Sequence, residues 1–83
     1  MRFYVYLIIS ENLGKDKTYV GYTKNVKKRL KLHNNSKGAK FTRGNKWILI
    51  YKKKFYLKSK AMSFEYKLKK DRRMRKKILE FKK

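Results

Sequence analysis

Between Arg2 and Ile9 the chain reads RFYVYLII, which sets Tyr4, Tyr6 and Ile8 on one side of an extended segment and Phe3, Val5, Leu7 and Ile9 on the other. A strand apolar on both faces must be covered on both, so this segment predicts a central strand. Residues Ser10 to Lys17, with Asn12 and Gly14, predict a hairpin turn that returns Thr18 to Tyr22 as an antiparallel neighbour. Asn25 is placed to cap a helix reaching about Asn34, with Val26 and Leu30 as its apolar pair against the sheet. NNSKGAKFTRGNK has turn formers and cations without periodicity and predicts an exposed loop. Trp47 to Tyr56, with Ile48, Ile50 and Phe55, predicts a third strand.

The pattern then changes period. From Ser59, a candidate cap, residues 60 to 70 place Ala61, Phe64, Glu65 and Leu68 on one stripe, with Lys60, Ser63, Lys67 and Lys70 opposite. Met74, Ile78 and Phe81 give a short third helix its own stripe, surrounded by Arg72, Arg73, Arg75, Lys76 and Lys77. Together these elements predict an α+β fold, a small three-stranded antiparallel sheet flanked by three helices. With no Pro and no Ser- or Gly-rich linker, residues 1–83 are expected to form a single domain.

Charge changes what such a domain is expected to do. With 27 Lys plus Arg against five acids, the formal charge is +22, and the folded chain repels itself unless a polyanion relieves it. An A-rich coding composition accounts for part of the lysine excess; the remainder points to phosphate. Cysteine is absent, which removes disulfides, thiol nucleophiles and Cys-type zinc sites. The first apolar run is too short to span a bilayer and reads as a strand rather than a signal peptide, so the expected location is cytoplasmic, with no membrane partner.

Several residues then need a reason. Glu65 lies on a core-facing stripe, where an unpaired carboxylate is costly, so it requires an ion-pair partner, a proton, or a hard cation such as Mg²⁺ that keeps most of its waters. Arg29 and His33 stand four apart and share a helix face. Each has an ordinary reading as well, Arg29 as a solvated cation and His33 as a helix-end histidine. Tyr6 and Tyr19 are read equally well as half-buried packing residues on adjacent strands.

Tyr4-Val5-Tyr6 followed by Thr18-Tyr19-Val20-Gly21 resembles the paired tripeptide signature of the GIY-YIG endonuclease domain, with the helix NVKKRLKLH and the later FEY in the expected order. Tyr4 and Val5 stand where the signature has Gly and Ile, leaving Tyr6 as the matching chemical group. GKDKTYVGYT and NNSKGAKFTRG resemble the compact stand-alone bacterial branch, related to the catalytic domain of structure-selective resolvase-type nucleases.

The resemblance implies hydrolysis of DNA phosphodiester bonds by an endonuclease, structure-selective and concerned with repair or recombination. In that reading Glu65 holds one Mg²⁺ or Mn²⁺, and Arg29 grips the scissile phosphate. Tyr6, Tyr19 and His33 supply the base and the network that orients water, with neighbouring cations lowering the tyrosine pKa values. Which of the three is the base stays open. Tyr22, Lys37, Lys40, Arg43, Lys46, Arg72 and Arg73 are the expected contacts to branched or duplex DNA. Self-association and a partner subunit stay open too. Two other classes compete, a non-catalytic nucleic-acid-binding module on the same fold and a basic ribosome-associated protein.

Overall fold

The computed structural model describes residues 2–12, 15–38, 40–42 and 44–82, with 11, 12, 15, 16 and 82 described in their backbone alone. The elements run β1 (Phe3–Asn12), β2 (Lys15–Thr23), α1 (Val26–Asn34), a single 3-10 turn (Lys40–Thr42), β3 (Ile48–Phe55), α2 (Lys58–Lys70) and α3 (Arg72–Lys82). The sheet order is β2-β1-β3, antiparallel throughout, so β1 is central as its two-sided apolar pattern requires. Both hairpin strands run further than their side-chain pattern indicated, pairing as far as Asn12 with Lys15. Gly14, expected in the turn, lies outside the described residues.

Each face of β1 has its own core. Phe3, Val5 and Leu7 join Val20 of β2 and Ala61 and Leu68 of α2, with Phe55, Phe64, Met74 and Ile78 packed around them. On the other face Tyr6 and Ile8 meet Trp47, with Tyr19, Val26, Leu30 and Leu49 against them. Burying each large apolar side chain contributes about 1.5–3 kcal/mol, and a chain this short has few to spare. Between Leu7 and Ile8 the β1–β3 register slips, so Tyr51 faces Leu7 and Leu49 faces Ile8. The extra residue, Ile50, joins the Val5–Leu7 core beside Tyr51.

Local chemistry sets the helix ends. The Asn25 side chain accepts from the Lys28 N–H at 3.0 Å, the cap expected from sequence. Ser59 is not a cap: α2 begins at Lys58, and its first turn closes with the Ala61 N–H on the Leu57 carbonyl at 3.1 Å. At the α2–α3 corner the Asp71 carboxylate accepts from the Met74 N–H at 3.0 Å, a cap the sequence reading missed. Arg75, one of the cations around the α3 stripe, turns back so that its guanidinium donates to the carbonyls of Leu68 and Lys69 at the end of α2. Phe81, expected on the buried stripe of α3, is 90% exposed, because the packed part of that helix ends with Ile78. Among the described residues no helix is long and apolar enough to cross a membrane.

Candidate active site

Tyr6 pairs with Gly21 across the β1–β2 ladder, and the pairing leaves room for its ring. A Cβ on Gly21 would stand 2.4 Å from the Tyr6 hydroxyl oxygen, far inside contact distance. The absent side chain therefore lets the phenol of a central strand lie across β2, an edge strand of the sheet. There the hydroxyl meets His33 Nε2 at 2.8 Å.

His33 reaches this point because α1 is anchored by Val26 and Leu30, and the fourth residue beyond Arg29 falls one turn on, fully buried. The helix then stops sharply. Ser36 takes a left-handed conformation (φ 58°), and the Lys37 N–H bonds back to the Leu32 carbonyl at 2.8 Å. That reversal presses Gly38 against the imidazole, where a Cβ would lie 2.4 Å from Nδ1. Nδ1 itself meets the Thr42 hydroxyl at 2.8 Å. Asn34 ties the end of α1 to the start of β3, donating to the Trp47 carbonyl at 3.1 Å and accepting from the Trp47 N–H. The Trp47 indole donates to the Thr42 carbonyl at 2.9 Å and holds the 3-10 turn in place. The segment expected as an exposed loop thus carries a buried histidine partner.

The electrostatics follow from this burial. Removal from water, and secondarily the Arg29 charge, hold His33 below the ordinary histidine value. The neutral ring can accept from Tyr6 at Nε2 while donating from Nδ1 to Thr42. Burial pushes the Tyr6 phenol up to about 12, outweighing the hydrogen bond and charge of Arg29, while the charges of Tyr19 and Glu65 add to the rise. That corrects the expectation of a lowered tyrosine pKa, since desolvation of the phenolate dominates here. His33 is the only histidine, and its linkage has a definite sign. As pH falls below about 6.5 the unfolded chain takes up a proton that the folded one resists, so stability is lost on acidification by up to about 1.4 kcal/mol per pH unit. Urea unfolding on either side of pH 6.5 is expected to show this slope, and His33→Gln to remove it.

The other expected residues gather at the same edge. The Tyr19 ring lies 5.0 Å from that of His33 and 6.4 Å from that of Tyr6, centroid to centroid. Arg29 influences the titration of both Tyr6 and His33, and its Nε–H is buried without a partner. Leaving such a donor unpaired costs about 1–3 kcal/mol, more for a charged group. Glu65, on α2, is close enough for its charge to be felt by Tyr6. It pairs with Lys69, one helical turn on, at 3.7 Å, and that lysine is half exposed. So loose a pair is worth at most about 1 kcal/mol and does not lock the carboxylate. Among the described residues no three His, Cys, Asp or Glu side chains gather into a protein cage for a metal. The donor set fits a hard cation that binds one carboxylate and keeps its waters.

Residues 2–78 match the family model described as the GIY-YIG catalytic domain. The chain belongs to the GIY-YIG family. It is similar to a UPF0213 protein of Oceanobacillus iheyensis, 42% identical over 80 residues that cover 94% of this chain and 90% of that protein. A UPF0213 protein of Clostridium perfringens is 43% identical over 68 residues, covering 81% of this chain and 70% of the relative. The solution NMR structure of a UPF0213 protein from Bacillus halodurans superposes with a TM-score of 0.55 at 38% identity, covering 99% of this chain and 86% of that one.

Within this GIY-YIG domain the two tyrosines of the paired signature, Tyr6 and Tyr19, meet His33 through their rings, Arg29 bears on both Tyr6 and His33, and Glu65 is linked to the group through its charge at Tyr6. Tyr22 does not join them: it lies on the opposite face of β2, against the Val5–Leu7 core. Arg72 and Arg73 line a hollow with Thr18, Arg75 and Lys76, beside the β2 edge. Lys37, Lys40 and Lys46 are exposed, Lys46 at a separate hollow with Ile9, Asn34 and Trp47. Arg43 lies outside the described residues. Sequence reasoning gave no role to Gly21, Gly38, Thr42 and Asn34. Gly21 was visible as the last residue of the second tripeptide; the other three lie in the quoted segment NNSKGAKFTRG but had no individual role, because what makes them matter is a contact made by the fold.

Proposed function

We propose that this GIY-YIG domain is a divalent-metal-dependent endonuclease acting on DNA. The observation that carries the proposal is the convergence, at one sheet edge, of Tyr6, Tyr19 and His33 with an arginine whose buried Nε–H is unpartnered and a carboxylate felt by Tyr6. Arg29 binds the scissile phosphate and stabilises its added charge in the transition state.

Tyr6 and His33 act as one base. With its hydrogen given to Nε2 and one lone pair accepting from Arg29, the Tyr6 oxygen keeps its second lone pair to accept a proton from the attacking water while its own proton passes to the imidazole. The raised tyrosine and lowered histidine values favour the neutral resting pair, so the proton moves only as reaction demands. Tyr19 orients the water, and Thr42 fixes the imidazole. Glu65 would hold Mg²⁺ or Mn²⁺, and a bound ion supplies charge neutralisation at the leaving oxygen.

Lys37, Lys40, Lys46, Arg72 and Arg73 contribute phosphate contacts that position a strand without reading its bases, so affinity falls steeply with salt. A role in repair or recombination follows if branched substrates are favoured. The test incubates end-labelled single strands, duplexes, flaps and junctions with Mg²⁺, Mn²⁺ or a chelator. Wild type is expected to cut in metal alone. Arg29→Lys, which keeps the charge and loses the planar fork, is expected to cut roughly 10²-fold more slowly at similar affinity. Binding without cleavage on every substrate and metal would overturn the nuclease reading in favour of a non-catalytic binding module.

A further inference from the structure

The 3-10 turn presents one large apolar side chain to water. Phe41 is 56% exposed, while Thr42 beside it is buried and bonded to His33. The turn is not loose: Trp47 donates to the Thr42 carbonyl, and the Phe41 ring tilts against Trp47 at 6.3 Å. Phe41 also lies nearly parallel to Tyr19, with ring centroids 6.3 Å apart and planes 22° from parallel. Exposure therefore belongs to a ring held in a fixed attitude, stacked on a residue of the candidate active site.

Beside that stack opens a shallow hollow of about 250 Å³, lined by Thr18, Tyr19, Val20, Phe41, Lys69 and Arg75. One wall is aromatic and another is cationic. Arg75 is fixed by its bonds to the end of α2, and Lys69 is the half-exposed neighbour of Glu65. A planar apolar ring next to fixed positive charge matches the two parts of a nucleotide, a base with a stackable face and an anionic phosphate. The hollow is large enough to admit one base. In an intact duplex each base is stacked and paired, and its faces are closed to such a platform.

We propose that the Phe41–Tyr19 stack and this hollow receive one unstacked nucleobase next to the phosphate held by Arg29. The favoured substrate is accordingly a strand with an unpaired nucleotide at the cut, as in a single strand or flap, rather than continuous duplex. This rests on the nuclease reading for the position of the cut, but base binding is measurable without cleavage.

The test uses the whole chain with chelator present and short oligonucleotides carrying 2-aminopurine at successive positions, read by its fluorescence and by anisotropy. Wild type is expected to quench the probe at one position of a bound single strand and to leave a blunt duplex probe unchanged. Phe41→Ala is expected to bind the single strand roughly tenfold more weakly, with duplex affinity unchanged, and to lose the quenching. Phe41→Trp restores both. Phe41 stands outside both cores, and circular dichroism checks that each variant is folded. Unchanged single-strand affinity in Phe41→Ala, or equal losses on single strand and duplex, would overturn the platform. Adding Mg²⁺ separates the two ideas: quenching without cutting by wild type sinks the nuclease reading and leaves the platform, and cutting unaffected by Phe41→Ala does the reverse.

Discussion

Glu65→Gln is expected to lower metal-dependent cleavage by roughly 10²–10³-fold while leaving DNA affinity within about a factor of two of wild type. Glutamine keeps the shape and length of the side chain and removes only the negative charge. The fold should tolerate the change, because the lost Lys69 contact is a 3.7 Å i, i+4 pair whose lysine is half exposed. Affinity should hold because the lysine and arginine contacts remain, and on so basic a surface one carboxylate fewer slightly favours a polyanion. Tyr6 gives a second readout: the Glu65 charge helps to raise its pKa, so the phenol should titrate lower in the variant. Single-turnover gels and anisotropy, run in parallel, check the split between chemistry and binding.

A larger effect on stability is expected from Gly21→Ala. The added methyl would stand 2.4 Å from the Tyr6 hydroxyl oxygen and 2.6 Å from the ring carbon that bears it. Tyr6 cannot simply withdraw, since it is 1% exposed and its hydroxyl is bonded to His33. Overpacking of this kind costs about 1–3 kcal/mol, which in a domain of this size lowers the melting temperature by about 4–8 °C per kcal/mol. Cleavage should fall further than the unfolded fraction explains, because Tyr6 moves off His33. Gly38→Ala presses on the same pair from the far side, where its methyl would lie 2.4 Å from His33 Nδ1. Calorimetry with activity assays below the transition checks both. Wild-type stability together with wild-type cleavage would mean that Tyr6 and His33 need no such clearance.

Much of this architecture is legible from period alone. The two-sided apolar run of β1 places it at the sheet centre, Asn25 caps α1 as its type suggests, and the Ala61–Leu68 stripe identifies the face of α2 that packs on the sheet. Where the reading failed, the cause was tertiary. Ser59 offered a cap, but α2 starts one residue earlier, with no side chain capping it. Phe81 continues the α3 stripe beyond the point where the sheet has anything to cover it. The five candidate site residues were legible as an ordered set only through the family resemblance, each having an ordinary reading alone, and the ring contacts of Tyr6, Tyr19 and His33 are ones no spacing reveals. Gly21 and Gly38 matter for the volume they leave empty, and Thr42 for a bond made only once α1 has turned back on itself. The direction of the Tyr6 shift was misjudged for the same reason, since neighbouring charges can be inferred from sequence but burial cannot.

Central to all of this is that a cation on Glu65 shares one hollow with the rings of Tyr6, Tyr19 and His33. Paramagnetic Mn²⁺ titrated into the protein tests it most directly, through the broadening of assigned ring signals. Substoichiometric Mn²⁺ should broaden Tyr6, the ring that feels the Glu65 charge, in wild type and spare it in Glu65→Gln. Broadening centred instead on Asp71 or Glu80, and unchanged by that substitution, would contradict it.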